Sequence, residues 1–478
     1  MISFVFWSFV AVVFLALYAC DKLIENDTKS VSIANWVLIV ASYIFVAYVD
    51  YRFVIVLALL TVSTWFFAKK KAFSFIGIII PLIALTFFKY ANFFAESFGK
   101  FFGFDHSSFN VVLPIGISFY TFSAIGYVID VKRNRIQARE LKDVALYLSF
   151  FPKIISGPIQ RSDDFFKQID LKRNHGWGAF YPSFSQGIQV FMFGLFKKIV
   201  LADRLSVFVN QVYETPMAFG SMTVFLAAVA YSFQIYFDFS GYSDMAIGVA
   251  KILGFNLPRN FNLPYLAHNA TELWKRWHIT LSSWLRDYLY ISLGGNRKGT
   301  FRTYINLILT MFLGGIWHGA NWTYVVWGLL HGLALAIHKA WMKITDSPNR
   351  KHSFLMNALS ILLTFLFTTF SWIFFRADSL SQARIIITRI FSFQSGIEQP
   401  YIWLFVAIGV FIICSIIALT KSVDKKTQIQ KQNTSFINGY YPVLNLNAFW
   451  SLVLFFVFFG LILCLAYTGG SPFIYGNY

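Results

Sequence analysis

Residues 307–332, LILTMFLGGIWHGANWTYVVWGLLHG, place two histidines inside an otherwise apolar stretch of the chain. A helix that crosses the hydrocarbon core of a bilayer needs about 20 mostly apolar residues, and such residues lie on both sides of His318. An ionisable side chain at membrane depth is costly and usually has a function there. The stretch therefore predicts membrane-spanning helices around a polar centre, and it raises the question of whether His318 reacts or only packs.

The composition of the whole chain indicates the same class of protein. Its 478 residues are 57% hydrophobic and only 13% charged, whereas soluble domains carry about 25% charged residues. The net charge of +18 does not indicate nucleic-acid binding, because the cytoplasmic loops of membrane proteins are enriched in Lys and Arg. The three cysteines lack CxxC spacing and predict neither a disulfide framework nor a metal site. We expect an integral membrane protein that contacts lipid and binds neither nucleic acid nor metal.

Apolar runs recur along the chain and predict a bundle of about 11 to 13 transmembrane helices. Several runs are short or interrupted by Gly and Pro, which is tolerated at membrane depth only inside protein or along a water-filled cavity. We therefore predict an all-α polytopic protein with re-entrant and interfacial helices around a central cavity, and we treat residues 1–478 as a single membrane domain. The predicted spans are 2–20, 33–49, 53–68, 75–95, 111–129, 185–202, 221–238, 304–317, 322–342, 354–375, 401–420 and 446–467.

Clusters of basic residues orient the predicted spans. They occur at 69–71, 296–302, 339–351 and 421–431, and the positive-inside rule places all four in the cytoplasm. Because one span follows the last cluster, we expect the C-terminal segment TGGSPFIYGNY (468–478) on the outer face.

The histidines of the opening stretch can serve chemistry or packing. A neutral imidazole accepts a proton from a hydroxyl and later returns it, since its unperturbed pKa of about 6.5 leaves it partly uncharged at working pH. The glycines at 314, 315 and 319 would let the backbone break and another group approach closely. The alternative is a histidine that hydrogen-bonds between helices as part of the packing. That alternative is stronger for His331, which we expect to support the site rather than to react.

Two further segments place polar groups among apolar ones. In ELWKRWHITLSSWLRDYLYISLGGN (272–296), aromatic and basic residues recur at helical spacing, which predicts an interfacial anchor or, for His278, the wall of a polar cavity. In YFDFSGYSDMAIGVAKILG (236–254), Asp238 and Asp244 predict a cavity wall or an internal hydrogen-bonded brace. The chain has no Gly-rich phosphate loop, HExxH or GxSxG, so nucleotide hydrolysis, zinc proteolysis and the common serine-hydrolase arrangement are not supported.

Six segments, in this order, resemble the bacterial membrane-bound O-acyltransferase family, and most of all its alginate and peptidoglycan O-acetyltransferase membrane subunits. The resemblance implies many helices around a funnel and an acetyl group taken from cytoplasmic acetyl-CoA. It implies His318 as the catalytic histidine and His278 as a second one. The segments are SFYTFSAIGYVIDV, FFPKIISGPIQR, YFDFSGYSDMAIG, LWKRWHITLSSWLRDYLYISLGGNR, GGIWHGANWTYVVWGLLHG and SPFIYGNY.

The resemblance also implies where the acyl group goes. We expect an extracytoplasmic esterase-like, SGNH-type acyltransferase as a partner, a cell-surface polysaccharide such as peptidoglycan or alginate as the acceptor, and a location in the bacterial cytoplasmic (inner) membrane. PFIYGNY resembles the C-terminal peptide with which related D-alanylation systems relay an acyl group through a tyrosine, here Tyr475. The family pattern usually has Phe after that tyrosine and at the end, whereas Gly476 and Tyr478 stand here. A plain anchoring tail is therefore the alternative.

These expectations combine into one mechanism. Acetyl-CoA binds with its phosphates near Lys275, Arg276 and Arg297, and His318 takes the proton from an acceptor hydroxyl, for example that of Tyr475, as that hydroxyl attacks the thioester. An indole N–H of Trp317 or Trp322, or His278, stabilises the oxyanion. The alternatives are a D-alanyltransferase for teichoic acid and a non-catalytic acyl or lipid transporter. We expect the cavity to be lined or supported by Trp317, Asn321, Trp322, His331, Asp238 and Asp244.

Overall fold

The computed structural model describes residues 3–102, 111–172, 177–345, 353–399, 401–426, 443–470 and 473–474. Within these ranges all regular secondary structure is helical, and the only β-type pairing is an isolated bridge between Phe219 and Ile397. The predicted all-α class is therefore confirmed.

The chain forms two compact units. The first contains the residues up to Phe191 together with Tyr242–Pro258, and the second contains Met192–Gly241 and Arg259–Ile474. The single domain expected from the sequence stays a prediction.

The described residues up to Leu195 form eight α-helices, of which the last continues a few residues beyond the first unit. They are α1 (Phe4–Leu23), α2 (Asp27–Val49), α3 (Tyr51–Lys69), α4 (Ser74–Phe102), α5 (Ile117–Lys132), α6 (Leu141–Ser149), α7 (Ser162–Ile169) and α8 (Trp177–Leu195).

The remaining helices carry most of the second unit. A π-helical turn at Phe196–Ala202 follows α8, and another at Leu285–Tyr290 follows α12. The helices are α9 (Asp203–Glu214), α10 (Ser221–Ile252), α11 (Ala270–Arg276), α12 (Ile279–Trp284), α13 (Thr300–His318), α14 (Trp322–Ile344), α15 (Phe354–Arg376), α16 (Leu380–Phe391), α17 (Ile402–Lys426) and α18 (Phe449–Leu465).

Seven of the described helices are long and apolar enough to cross a membrane by length and composition. Six of them are α1, α2, α3, α10, α14 and α15, and the seventh is the helical stretch Lys71–Glu96, which contains most of α4. Two shorter apolar stretches, Ile402–Ala418 and Phe449–Leu465, match two more predicted spans. The three remaining predicted spans coincide with α5, α8 and α13. The protein is a multi-pass membrane protein, and any number of spans above seven stays a prediction.

Polar caps explain where several of these helices begin. Asn26, Asn321 and Ser379 precede α2, α14 and α16, and each side-chain oxygen accepts a backbone N–H from the first turn of its helix. The first N–H groups of a helix have no partner within the helix, so such an oxygen stabilises the helix by about 1 kcal/mol. The caps therefore set the starting points of these three helices.

Candidate active site

Helices α13 and α14 approach each other so closely that glycine is needed where they meet. A Cβ atom on Gly315 would lie 2.4 Å from the Tyr324 carbonyl oxygen, and one on Gly328 would lie 2.5 Å from the Met311 carbonyl oxygen. Helix α13 runs unbroken through Gly314 and Gly315 to His318. The expected backbone break at these two glycines is therefore wrong. At Gly315, close packing against α14 requires a small residue. The chain leaves the helix only after His318.

His318 occupies the last position of α13 and is enclosed by aromatic rings. Its side chain is buried, at 3% exposure. Its ring centroid lies 4.8 Å from that of Trp317, 4.9 Å from that of Trp327 and 5.0 Å from that of Phe375. Three rings from α13, α14 and α15 thus hold the imidazole and exclude water, and electrostatic interactions are stronger in such an environment than in water.

His331 contacts the same tryptophan, Trp327, that contacts His318. Its ring centroid is 4.9 Å from that of Trp327, and its Nε2 is 2.9 Å from the Ser371 hydroxyl. That hydroxyl donates its proton to the Thr368 carbonyl at 2.7 Å. Because a hydroxyl has only one proton, Nε2 of His331 is the donor to Ser371, which assigns the tautomer. This fixed ring favours the supporting role expected for His331.

His278 stands in the break between α11 and α12. Its φ of 40° is left-handed, which is uncommon for a residue with a side chain and marks a site worth a functional hypothesis. The side chain is buried, and its ring centroid lies 4.6 Å from that of Phe239 and 6.4 Å from that of Trp317. Burial lowers the pKa of His278 to about 3, so the imidazole is neutral at working pH.

The break at His278 also decides what the segment 272–296 is. The predicted single amphipathic helix is wrong, because α11 ends at Arg276 and α12 begins at Ile279. Trp277 and Trp284 are buried and do not form a lipid-facing aromatic side. Of the two readings left open, the structure supports a place for His278 in the interior of the protein.

Trp317 joins the two histidines that the sequence singled out. Its ring centroid is 4.8 Å from that of His318, the next residue, and 6.4 Å from that of His278. The structure therefore brings His318, His278 and His331 into one aromatic cluster of the second unit. We call the three histidines, with Trp317 and Trp327, the histidine cluster.

Asp238 lies on α10 in the same unit and is 1% exposed. One carboxylate oxygen, Oδ1, is 2.6 Å from Lys198 Nζ, which also lies 2.8 Å from Asp203 Oδ1. The other oxygen, Oδ2, accepts the backbone N–H of Ile474 at 2.8 Å. Asp238 is thus the internal brace that was one of its two predicted roles. Asp244 is also buried but belongs to the first unit.

Asn321 and Trp322, predicted to line the cavity, have other surroundings. Asn321 caps α14, since its Oδ1 accepts the Thr323 N–H at 3.0 Å and its Nδ2 donates to the Asp378 carbonyl at 2.8 Å. Trp322 is 59% exposed. Trp327, which was not predicted from the sequence to belong to the site, contacts His318 instead. The i, i+4 spacing of Trp327 and His331 places both on one face of a helix and could have indicated this role.

A cavity of about 470 Å³ lies among α11, α12, α13, α14 and the second π-helical turn, and carries three cations, Lys275, Arg286 and Lys339. No carboxylate is among its lining residues. Of the residues predicted to hold an anionic donor, only Lys275 lines this cavity. Arg276 instead forms an ion pair with Glu272 at 2.6 Å, and Arg297 is exposed and lies outside the lining. We call this space the cationic cavity.

The family is decided by a comparison with known families, in which residues 66–377 match the model of the MBOAT, membrane-bound O-acyltransferase, family. The chain belongs to this family. It is an O-acyltransferase, and the family resemblance given by the six sequence segments is confirmed.

The similarity of the chain to individual proteins agrees with this assignment. The chain is 41% identical over 377 residues to the probable alginate O-acetylase AlgI of Pseudomonas aeruginosa, and the aligned region covers 75% of this chain and 70% of that protein. It is 38% identical over 382 residues to the peptidoglycan O-acetyltransferase of Helicobacter pylori, covering 72% and 71%. It is 29% identical over 284 residues to the teichoic acid D-alanyltransferase of Streptococcus thermophilus, covering 55% and 68%.

Proposed function

We propose that the protein is an O-acetyltransferase that takes acetyl from cytoplasmic acetyl-CoA and passes it across the bacterial cytoplasmic membrane for O-acetylation of a cell-surface polysaccharide. The names of the two relatives of higher identity support acetyl as the group and alginate or peptidoglycan as the class of acceptor. The catalytic assignment rests on one observation: three aromatic rings enclose His318, and one of them, Trp317, also neighbours His278.

The cationic cavity supports acetyl-CoA as the donor. Lys275, Arg286 and Lys339 carry positive charge in the lining, and Lys and Arg bind phosphates through charge-assisted hydrogen bonds. Arg286 also pairs with Asp287, whose Oδ1 is 2.7 Å from its Nε, so the charge of Arg286 is partly offset. The cavity volume of about 470 Å³ lies within the ordinary range of ligand pockets, about 300–1,000 Å³. The phosphates of CoA bind there in this proposal, and the thioester extends toward the histidine cluster.

His318 is the general base in the transfer step. The imidazole takes the proton of the acceptor hydroxyl while the hydroxyl oxygen forms a bond to the thioester carbonyl carbon. The carbon–sulfur bond then breaks, and the departing thiolate of CoA takes the proton back from the imidazolium. A general base of this kind contributes about 10² to 10⁴ in rate. Trp317, which contacts His318, and the neutral His278, whose ring centroid is 6.4 Å from that of Trp317, are the candidates for stabilising the oxyanion.

The C-terminal segment is the first acceptor in this proposal, with Tyr475 as the acyl relay. Tyr475 lies outside the described residues, but Phe473 and Ile474 are described. The Phe473 ring centroid is 6.2 Å from that of Phe239, whose ring contacts His278. This position supports a hydroxyl delivered to the histidine cluster by the residue that follows Ile474. An extracytoplasmic SGNH-type acyltransferase then moves the acetyl group from the tail, on the outer face, to the polysaccharide.

The test is acetyl transfer by the purified full-length protein in lipid nanodiscs supplied with radiolabelled acetyl-CoA. We expect release of CoA and label on the protein, and His318→Ala should reduce both by at least 100-fold. His268→Gln is the matched control, because this histidine is partly exposed and bonds to Glu272. Normal transfer by His318→Ala would refute the catalytic assignment.

The same assay separates the competing functions. A transporter or scaffold releases no CoA at all. A D-alanyltransferase, favoured by the relative from Streptococcus thermophilus, releases no CoA from acetyl-CoA alone and needs a D-alanyl donor.

A further inference from the structure

The end of α18 and the segment that follows it are held by hydrogen bonds within the second unit at two places. At the first, the Tyr467 N–H donates to the Ile199 carbonyl at 2.9 Å, and the Arg204 guanidinium donates to the Leu465 carbonyl. At the second, the Ile474 N–H donates to Asp238 Oδ2 at 2.8 Å. The first attachment fixes the end of the last apolar helix. The second lies next to the residue that the proposed function requires to react.

A specific backbone arrangement brings the carboxylate of Asp238 to this place. A Cβ atom on Gly241 would lie 2.6 Å from the Gly194 carbonyl oxygen, so α10 passes very close to the end of α8. Lys198 follows in the π-helical turn Phe196–Ala202 and reaches Asp238 from there. π-Helical turns inside helices occur frequently at functional sites.

The charges around Lys198 explain why Asp238 can hold a peptide N–H. One ammonium group serves two buried carboxylates, Asp203 and Asp238, so the three groups together carry an excess of negative charge when ionised. A buried carboxylate needs hydrogen-bond donors to offset the loss of water. The Ile474 N–H supplies such a donor to Oδ2, whereas Lys198 pairs with Oδ1.

We propose that Asp238 is the positioning residue that docks the C-terminal segment at the histidine cluster. The inference rests on the proposed function, in which Tyr475 accepts the acyl group. Asp238 holds the backbone of Ile474, and the next residue of α10, Phe239, places its ring between Phe473 and His278. The two consecutive residues thus bind the main chain of Ile474 and contact the side chain of Phe473, and these are the two residues that precede Tyr475 in the sequence.

Hydrogen–deuterium exchange of the full-length protein in nanodiscs tests the docking without reference to catalysis. Asp238→Leu removes both oxygens while Lys198 keeps Asp203, and we expect amide exchange in the C-terminal peptide to become about tenfold faster, because a hydrogen bond to a charged group is lost. Asp203→Leu is the matched control, since it removes the other carboxylate of Lys198 and keeps both atoms of the hydrogen bond between Ile474 and Asp238. Equal exchange in Asp238→Leu and the unaltered protein would overturn the proposal.

A second pair of variants leaves the charged network untouched and covers the case in which Asp238→Leu does not fold. Ile474→Pro deletes the donor itself, because proline has no N–H, whereas Ile474→Val keeps it. We expect faster exchange of the remaining tail amides in Ile474→Pro only. Identical exchange in the two variants would overturn the proposal.

Acetylation of Tyr475, measured by mass spectrometry, separates this inference from the proposed function. If docking and relay are both correct, Ile474→Pro reduces acetylation of the tail at least tenfold, and the KM for acetyl-CoA is unchanged. If the unaltered protein never acetylates Tyr475, the relay fails, while the exchange data still decide the docking contact. If Ile474→Pro and Ile474→Val acetylate Tyr475 equally, the docking role is refuted and the relay is retained.

Discussion

The imidazole of His318 meets the indole of Trp327 edge to face, with ring centroids 4.9 Å apart and planes at 89°. Trp327 is almost completely buried and contacts His331 on its other side. His331 is itself fixed by Ser371. The orientation of the proposed general base therefore depends on a chain of contacts that starts at a serine on α15.

Replacing Trp327 should damage both stability and transfer. Trp327→Ala removes a buried ring and should destabilise the protein by about 3–5 kcal/mol, while also releasing the imidazole of His318. Trp322→Ala is the matched control on the same helix, because Trp322 is 59% exposed. Thermal unfolding and CoA release report the two effects. Equal melting temperatures for the two variants would contradict the enclosed position of Trp327.

Ser371→Ala should act through His331. The substitution leaves the Nε2–H of His331 buried without its acceptor, which costs about 1–3 kcal/mol. We expect a lower melting temperature and a smaller loss of transfer than for His318→Ala. Ser360→Ala on the same helix removes only a hydroxyl that donates to the Met356 carbonyl at an exposed position, and it should change neither quantity. A loss of activity as large as that of His318→Ala would instead make His331 catalytic.

The pH dependence of transfer should not change when His278 is replaced. Burial lowers the pKa of His278 to about 3, so the ring gains no proton as the pH falls from 8 to 5. The acidic limb of the rate profile therefore belongs to another group. In His278→Gln the rate of CoA release falls, but the midpoint of that limb stays in place. A shifted midpoint would show that His278 titrates in this range.

Neutralising the cationic cavity should weaken binding of the donor. Arg286→Gln and Lys339→Gln each remove one positive charge from the lining, and we expect the KM for acetyl-CoA to rise several-fold with kcat little changed, since the charges bind phosphates equally before and during transfer. Arg297→Gln makes the decisive comparison, because Arg297 was expected from the sequence to bind the donor but does not line the cavity. A higher KM for Arg297→Gln alone would favour the sequence-based assignment.

Gly328→Ala should disrupt the contact between α13 and α14. The added methyl group would lie 2.5 Å from the Met311 carbonyl oxygen, so the helices must separate and His318 must move with them. We expect a lower melting temperature and loss of transfer. Gly460→Ala on α18 is the matched control, because nothing lies within 4 Å of the added atom, and alanine favours a helix. Similar melting temperatures for the two variants would argue against the close crossing.

Several residues show why part of the site could be predicted from the sequence. His318, His278 and His331 stand in apolar surroundings, where a polar side chain is costly enough to be noticed in a single sequence. Their order along the chain also matched the family resemblance. The cost of a buried polar group does not distinguish Trp322 from Trp327, because both are tryptophans near a histidine. The i, i+4 spacing of Trp327 and His331 distinguishes them only once His331 is known to face inward.

Basic residues also show what the sequence alone could not predict. The sequence predicted the same role for Lys275, Arg276 and Arg297, yet the first lines a cavity, the second pairs with Glu272 and the third is exposed. Which cation is available to a ligand depends on the partners that the fold brings to it. The i, i+4 position of Glu272 before Arg276 is the one local signal that indicated this pairing.

The sequence by itself determined the membrane class, the family and the three histidines, because apolar runs and costly polar residues within them are properties of neighbouring residues along the chain. The tertiary structure decided that Trp327 holds His318, that His278 stands in a break between two helices, and that Asp238 binds the backbone of Ile474, 236 residues away. These contacts join distant segments, and their geometry follows from how closely helices pack, which no local pattern contains.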